Sequence, residues 1–289
     1  MAEQSNGIKI HVLHTGKVCV APSLPFGGEH CNVVKASGLF TPKSERLWLP
    51  VSCYLVEGPF GRVLVDAGWH RGMSPEGVFD KQAQVKSLGS SMLYRINQGV
   101  VQAGQAIDEQ LESQFGLKPS DIDCVLITHL DCDHANGLPA VSAAKRILAS
   151  KDEVDSIKRG PVARVRYQSR WWDGTGIEFF DWNGNRGPFE KSYDVFGDGS
   201  VVCVAIPGHA DGLFAVKVTG TDGRFVLLAS DGGYATKSWK DMILPGIANN
   251  RADQKKSLAW LREQSLDPNC VELLANHDPN VAPHVIELA

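Results

Sequence analysis

Two imidazoles and two carboxylates fill four of the six positions in His129-Leu130-Asp131-Cys132-Asp133-His134. They follow directly on the apolar run of DIDCVLITH, where solvation alone gives no reason for so many polar groups. In extended backbone, residues 129, 131 and 133 share one face, and a turn after them brings His134 round. Three more groups of the same kind lie far along the chain at the tips of apolar runs: His209 in IPGHADG, Asp231 in LLASDGGY and His277 in ANHDP. Strand ends hold side chains rigidly at one rim of a sheet, where sites assemble. Imidazole and carboxylate together suit a pair of first-row divalent ions, with nitrogen at about 2.0–2.1 Å and oxygen at about 2.0–2.2 Å. An aspartate can bridge two such ions about 3.5–4 Å apart. A lone histidine at a strand end is more often a structural hydrogen bonder. The cluster at 129–134 points to metal, and His209, Asp231 and His277 gain weight from it.

Particular elements must position these groups. IKIHVLHTG alternates apolar and polar residues as a strand does. VSCYLVEG and GRVLVDAG are β-branched runs separated by Gly58-Pro59-Phe60-Gly61, which predicts a hairpin closing at Asp66-Ala67-Gly68. Residues 99–115 predict a helix, with Ile107, Leu111 and Phe115 on one face and Gly116 as its stop. DIDCVLITH, SVVCVAIPGHADG, RFVLLASDGG and, last, VELLANHDP read as strands, whereas PAVSAAKRILAS and 253–264 read as helices. Residues 21–46, rich in Pro, Gly and Ser, predict a long ordered loop. Strands and helices intermix without strict βαβ alternation. The expected fold is therefore α/β, two sheets sandwiched between helices, rather than a doubly wound parallel sheet.

Composition narrows the function classes. The 289 residues are 43% hydrophobic and 21% charged, with 29 Lys+Arg against 33 Asp+Glu, as in an ordinary globular chain. A net charge of −4 leaves no cationic footprint for nucleic acid or an anionic membrane. No apolar run approaches the roughly 18 residues of a membrane span. The N-terminus is polar, without a signal-peptide pattern. The seven cysteines are scattered, with no CxxC pair, and read as reduced thiols of a cytoplasmic protein. We expect one domain over 1–289 carrying an aromatic-rich insertion at about 160–196. In it, Trp171, Trp172, Phe179, Phe180, Trp182, Phe189 and Tyr193 either line a groove for an acyl chain or pack the insertion onto the body or a homodimer partner. Leu24, Phe26, Phe40 and Trp48 carry the same two readings.

The segment THLDCDHANGL resembles the HxHxDH signature of the metallo-β-lactamase superfamily, with Asp131 in place of its second histidine. VLVDAG, IPGHADG, LLASDGGY and ANHDP are similar to four further segments of that superfamily, in the same order and spacing. The resemblance implies an αββα sandwich of two mixed β-sheets. It also implies two divalent ions, the first held by His129, Asp131 and His209, the second by Asp133, His134 and His277, with Asp231 between them. Zinc is the expected metal. Asp131 is a harder ligand than imidazole and shifts preference toward manganese or iron, with cobalt a further alternative.

Within the superfamily, Asp231-Gly232-Gly233-Tyr234 and the PVSCYLVEGPFGRVLVDAG hairpin resemble N-acyl-homoserine lactonases. That resemblance implies opening of a lactone ring by hydroxide generated at the metal pair. Tyr234 would donate to the carbonyl oxygen and Asp133 would shuttle a proton to the leaving alkoxide. Tyr234 taken alone is equally well a loop aromatic packing on its neighbours. The alternatives are hydrolysis of another ester, a thioester or a phosphotriester and, less favoured, a non-hydrolytic metal-binding or redox module. A glutathione thioester would call for a basic cluster in the pocket, and no such cluster adjoins the motifs.

Overall fold

The apolar runs are apolar because most of their strands are covered on both faces. In the computed structural model, which describes residues 7–289, two mixed sheets pack face to face between helices. The polar start of the N-terminal segment, 1–6, lies outside the described residues. The first sheet holds β1 (Ile8–Val20), β2 (Leu47–Gly58), β3 (Gly61–Val65), β4 (Gln98–Val100), β5 (Cys124–Leu126), β6 (Ile147–Ser150) and β7 (Glu178–Phe180). The second holds β8 (Ser192–Asp194), β9 (Val201–Ala205), β10 (Phe214–Thr219), β11 (Phe225–Ser230) and β12 (Cys270–Ala275). A further strand, β13 (Val285–Leu288), returns to the first sheet and pairs with β1, so VELLANHDP does not close the strand set. It is the parallel neighbour of β11 in the second sheet.

Period-two alternation assigns side chains to layers. On β11, Val226 and Leu228 face the inter-sheet core, while Phe225, Leu227 and Ala229 face the outer helix Arg251–Gln264 through Leu258 and Leu261. On β1 the phase changes. Ile8, Ile10 and Val12 point between the sheets, but Val18 and Val20 point to the opposite layer. The register with β2 slips between His14 and Lys17, and one displaced residue there turns every later side chain to the other face.

Two predicted helices are corrected. The helix expected over 99–115 begins only at Ile107; residues 98–100 are β4, paired with β1, and Glu109 reaches back to the Ala106 amide to start the helix. In PAVSAAKRILAS a single 3₁₀ turn, Leu138–Val141, is followed by β6. Ile147 to Ser150 are all buried between parallel neighbours β5 and β7, and that burial outweighs the helical preference of the alanines before them. The 21–46 segment is mostly loop, interrupted by a short helix at Val33–Ala36 and a 3₁₀ turn at Lys43–Glu45. No helix among the described residues is long and apolar enough to cross a membrane.

Candidate metal centre

All seven expected ligands meet at one rim of the two sheets. The backbone does not stay extended through 129–134, as alternation required; a helical turn starts at Cys132 with Asp131 as its N-terminal cap residue. The turn divides the motif. His129 and Asp131 face His209, with Asp131 Oδ2 at 3.4 and 2.9 Å from the two Nε2 atoms. Asp133 and His134 face His277, whose Nε2 lies 3.4 Å from Asp133 Oδ2. Asp231 stands between the halves and divides its oxygens: Oδ1 lies 3.4 Å from His134 Nε2 and 3.1 Å from His277 Nε2, while Oδ2 lies 3.6 Å from His209 Nε2 and 4.0 Å from His129 Nε2.

Hydrogen bonds behind the rings decide which nitrogen points inward. His277 Nδ1 donates to the Pro50 carbonyl at 2.7 Å, and a carbonyl can only accept, so Nε2 carries the lone pair. His134 Nδ1 is held by Asp66 Oδ2 at 2.8 Å. His129 Nδ1 meets Thr128 Oγ1 at 3.1 Å; Thr128 gives its own hydrogen to Asp66 and takes one from Ser230 at 2.7 Å. Asp66 and Ser230 both sit at positive φ (61° and 48°), a cost accepted where strand ends are bent to aim these groups. Two glycines permit close packing behind the ligands. A Cβ at Gly208 would lie 2.4 Å from the Gln254 backbone of the outer helix, and one at Gly212 would lie 2.2 Å from Glu153 N.

The arrangement fits a pair of divalent ions. His129 Nε2, His134 Nε2, His277 Nε2 and Asp231 Oδ1 are buried, point inward and make no hydrogen bond. His277 Nε2 and Asp231 Oδ1 are close without hydrogen-bond geometry, as expected of atoms sharing a third partner. Burial and the neighbouring His134 charge push His129 down to about 4, leaving it neutral and able to ligate. With the imidazoles neutral, as ligation requires, Asp66, Asp131, Asp133 and Asp231 put four carboxylates against one guanidinium, Arg166, a negative balance that cations would offset.

Arg166 is the main surprise. It lies at the end of the helix Pro161–Arg166 and grips Asp131 with Nη2 at 2.7 Å from Oδ2 and Nε on Oδ1. Burial would raise the Asp131 carboxyl, but this guanidinium holds it well below the usual range. Nothing near residue 166 in the sequence distinguishes it from other arginines of a polar stretch. Arg159 also lines the cavity above the site, so basic residues do adjoin the motifs, contrary to expectation; both are already paired, with Asp131 and Asp211.

That cavity, about 290 Å³, has four of the expected ligands, Asp131, Asp133, His209 and Asp231, at its floor and aliphatic walls that include Val20, Leu24, Leu93, Val162 and Ile247. Its aromatics are Tyr167 and Tyr234. Tyr234 stacks on His277 at 5.3 Å and 22° and stands edge-on to His209. The seven rings expected in the insertion pack elsewhere: Trp171 and Trp172 are core residues, and Phe180 stacks on Tyr193 at 4.2 Å beside the inter-sheet core. Of Leu24, Phe26, Phe40 and Trp48, Leu24 lines the cavity.

Glu153 braces the centre from behind. Fully buried, it accepts from Leu130 N and from Gly212 N, both at 3.0 Å, tying together the loops that carry His129 and His209. Burial pushes its carboxyl up to about 7 from 4.5. Between those values the folded state keeps a proton that the unfolded chain releases, so this group's stabilising contribution is complete below about 4.5 and lost as pH rises through 7. The span is worth on the order of 3 kcal/mol. Glu153→Gln, which cannot titrate, should remove that downward slope from the stability–pH curve in chemical denaturation. An unchanged slope would show that Glu153 ionises freely.

The model of the metallo-beta-lactamase superfamily matches residues 46–271. The chain belongs to that superfamily and, with this site, is a metal-dependent hydrolase. It is 24% identical over 232 residues to an N-acyl homoserine lactonase, AttM, of Rhizobium radiobacter, covering 80% of this chain and 83% of that protein. A "Probable metallo-hydrolase" of Mycobacterium tuberculosis is 30% identical over 239 residues, 78% of this chain and 71% of that one. Among solved structures, an N-acyl homoserine lactone hydrolase with N-hexanoyl-L-homoserine at its catalytic metal centre superposes with a TM-score of 0.71 at 21% identity, covering 94% and 93% of the two chains. AidC, a dizinc quorum-quenching lactonase, gives 0.62 at 14%, covering 96% and 89%. At such identities the structural likeness speaks for the fold.

Proposed function

We propose that this protein opens the ring of N-acyl-homoserine lactones, or of closely similar lactones, at a centre of two divalent ions, zinc first among them. His129, Asp131 and His209 would hold one ion, Asp133, His134 and His277 the other, with Asp231 between. The observation that carries the reading is Tyr234, set between His209 and His277 where the ligand floor meets an aliphatic cavity. The floor suits an ester carbonyl and the wall an acyl chain. The lactonase relatives support the same choice. Seven free cysteines among the described residues fit a reducing compartment such as the cytoplasm.

When bound, the ions supply Lewis acidity, making water acidic near neutral pH and polarising the carbonyl. The chain does the rest. Burial, reinforced by Asp231, Asp131 and Asp133, pushes the Tyr234 phenol far above 10, so its hydroxyl stays a donor and can meet the carbonyl oxygen as charge develops there. Asp133, raised by burial, takes up the proton that attacking water gives up and delivers it to the departing ring oxygen. Aliphatic walls exclude bulk water from the acyl chain. A glutathione-type thioester would need an unpaired cation, and Arg159 and Arg166 are already engaged.

A panel of short- and long-chain acyl-homoserine lactones, a thioester and a phosphotriester, assayed with zinc, manganese and cobalt, tests the assignment. The lactones should give the highest kcat/KM; a faster thioester or phosphotriester overturns it. Tyr234→Phe keeps the ring stack and deletes the hydroxyl, so metal content and melting temperature should hold while kcat/KM on the lactone falls roughly tenfold to a hundredfold, less than a lone oxyanion donor is worth because the metals share the task.

A further inference from the structure

We infer that Arg166 makes the two metal positions unequal, acting as a built-in cation that competes for Asp131 and His209 at the first position while leaving the second untouched. The inference rests on the dimetal reading above. Every N–H of the guanidinium is engaged at this corner of the cavity. Nε and Nη2 donate to the two oxygens of Asp131, the latter at 2.7 Å, and Nη2 also meets His209 Nε2 at 2.9 Å. Nη1 donates to the His209 carbonyl at 3.1 Å and to Asn249 Oδ1 at 3.2 Å. Two of those acceptors, Asp131 Oδ2 and His209 Nε2, are the same atoms that would bind an ion at the first position.

No such cation touches Asp133, His134 or His277 among the described contacts; Asp133 Oδ2 faces the imidazole of His277. Asp131 therefore brings its own counter-charge. It adds a negative charge where the family pattern has a neutral imidazole, and Arg166 cancels it. An ion entering the first position must share Asp131 with a guanidinium that cannot lose its proton, whereas at the second the groups facing Asp133 and Asp231 are imidazoles, which give up any proton they hold in order to ligate. The second position should fill first, and the first should release its ion at the lower chelator strength. Mutating an outer-shell partner of a metal ligand changes affinity by about 10–100-fold, and removal of a competing cation is expected to act on the same scale with the opposite sign.

Metal-replete protein equilibrated against a graded series of buffered free zinc, followed by elemental analysis, reads the two affinities; cobalt(II), followed by its ligand-field absorption, repeats the measurement. Wild type should lose zinc in two separated steps. Arg166→Gln should draw the weaker step toward the stronger by roughly tenfold to a hundredfold. Arg166→Lys, which keeps the charge, should keep the gap. If Arg166→Gln fails to fold, Arg166→Met preserves the packed stem and carries the same expectation. One unresolved step in wild type, unchanged in Arg166→Gln, overturns the inference and leaves the dimetal reading intact. Loss of the weaker equivalent in Arg166→Gln also overturns it, because Arg166 would then hold Asp131 in its ligating pose. Zinc content near zero at saturating zinc overturns both readings.

Discussion

Asp231→Ala is expected to strip metal and hydrolysis from this protein together. Asp231 reaches all four imidazoles, one oxygen toward His134 and His277 and the other toward His209 and His129, so its loss weakens both halves of the centre at once. His134→Ala removes one ligand from one half and should lower the metal count by less. Lactone hydrolysis should fall in Asp231→Ala by more than the roughly 10²–10³-fold that a single oxyanion donor contributes, since Lewis acid and activated water go together. Elemental analysis of protein purified without chelator should find close to two equivalents in wild type and at least one fewer in the variant. Full metal content in a folded Asp231→Ala would remove Asp231 from the ligand set.

The second large effect concerns Asp131. Histidine at 131 restores the superfamily pattern, and on the sequence alone it should simply keep the site. The structure adds Arg166. Asp131→His leaves a mostly buried guanidinium, its side chain 13% exposed, without the carboxylate that neutralises it. Breaking one partner of a buried ion pair costs about 3–5 kcal/mol. Asp131→His and Asp131→Ala should therefore both be destabilised by that order in chemical denaturation, and Arg166→Met added to Asp131→His should recover most of the loss. A double-mutant cycle measures the coupling; additive effects would show that the pair contributes nothing beyond its separate residues.

The cluster was legible in the sequence because its members are unusual where they stand. His129, Asp131, Asp133 and His134 end a buried strand, and His209, Asp231 and His277 each end another, so seven polar residues at apolar tips announced one rim. The sandwich was legible for the same reason that its strands are monotonously apolar. What supports the site was not. Glu153 sits in KDEVDSIKRG and Arg166 in a polar stretch, and their sequence neighbours give no sign that tertiary packing buries them. Asp66 was visible as a turn, but its hold on His134 Nδ1 depends on β3 and β5 lying parallel and adjacent. The short strand β4 was hidden inside an apparent helix because three residues carry no periodicity.

The pairing of β13 with β1 bears on how the edge of the first sheet is closed. Ile8 lies opposite Leu288, so a segment distant in sequence covers backbone groups that the first strand would otherwise leave unpaired. The loop bearing His277 runs between β12 in one sheet and β13 in the other, so closing that edge also draws the last imidazole into place. The β2–β3 hairpin closes over a local turn, whereas this edge closes only through contacts distant in sequence, which carry the larger loop-closure cost. The last of the expected ligands is thus held by the closure of a sheet edge, and a substitution that loosens β13 is expected to weaken the centre although β13 carries none of its residues.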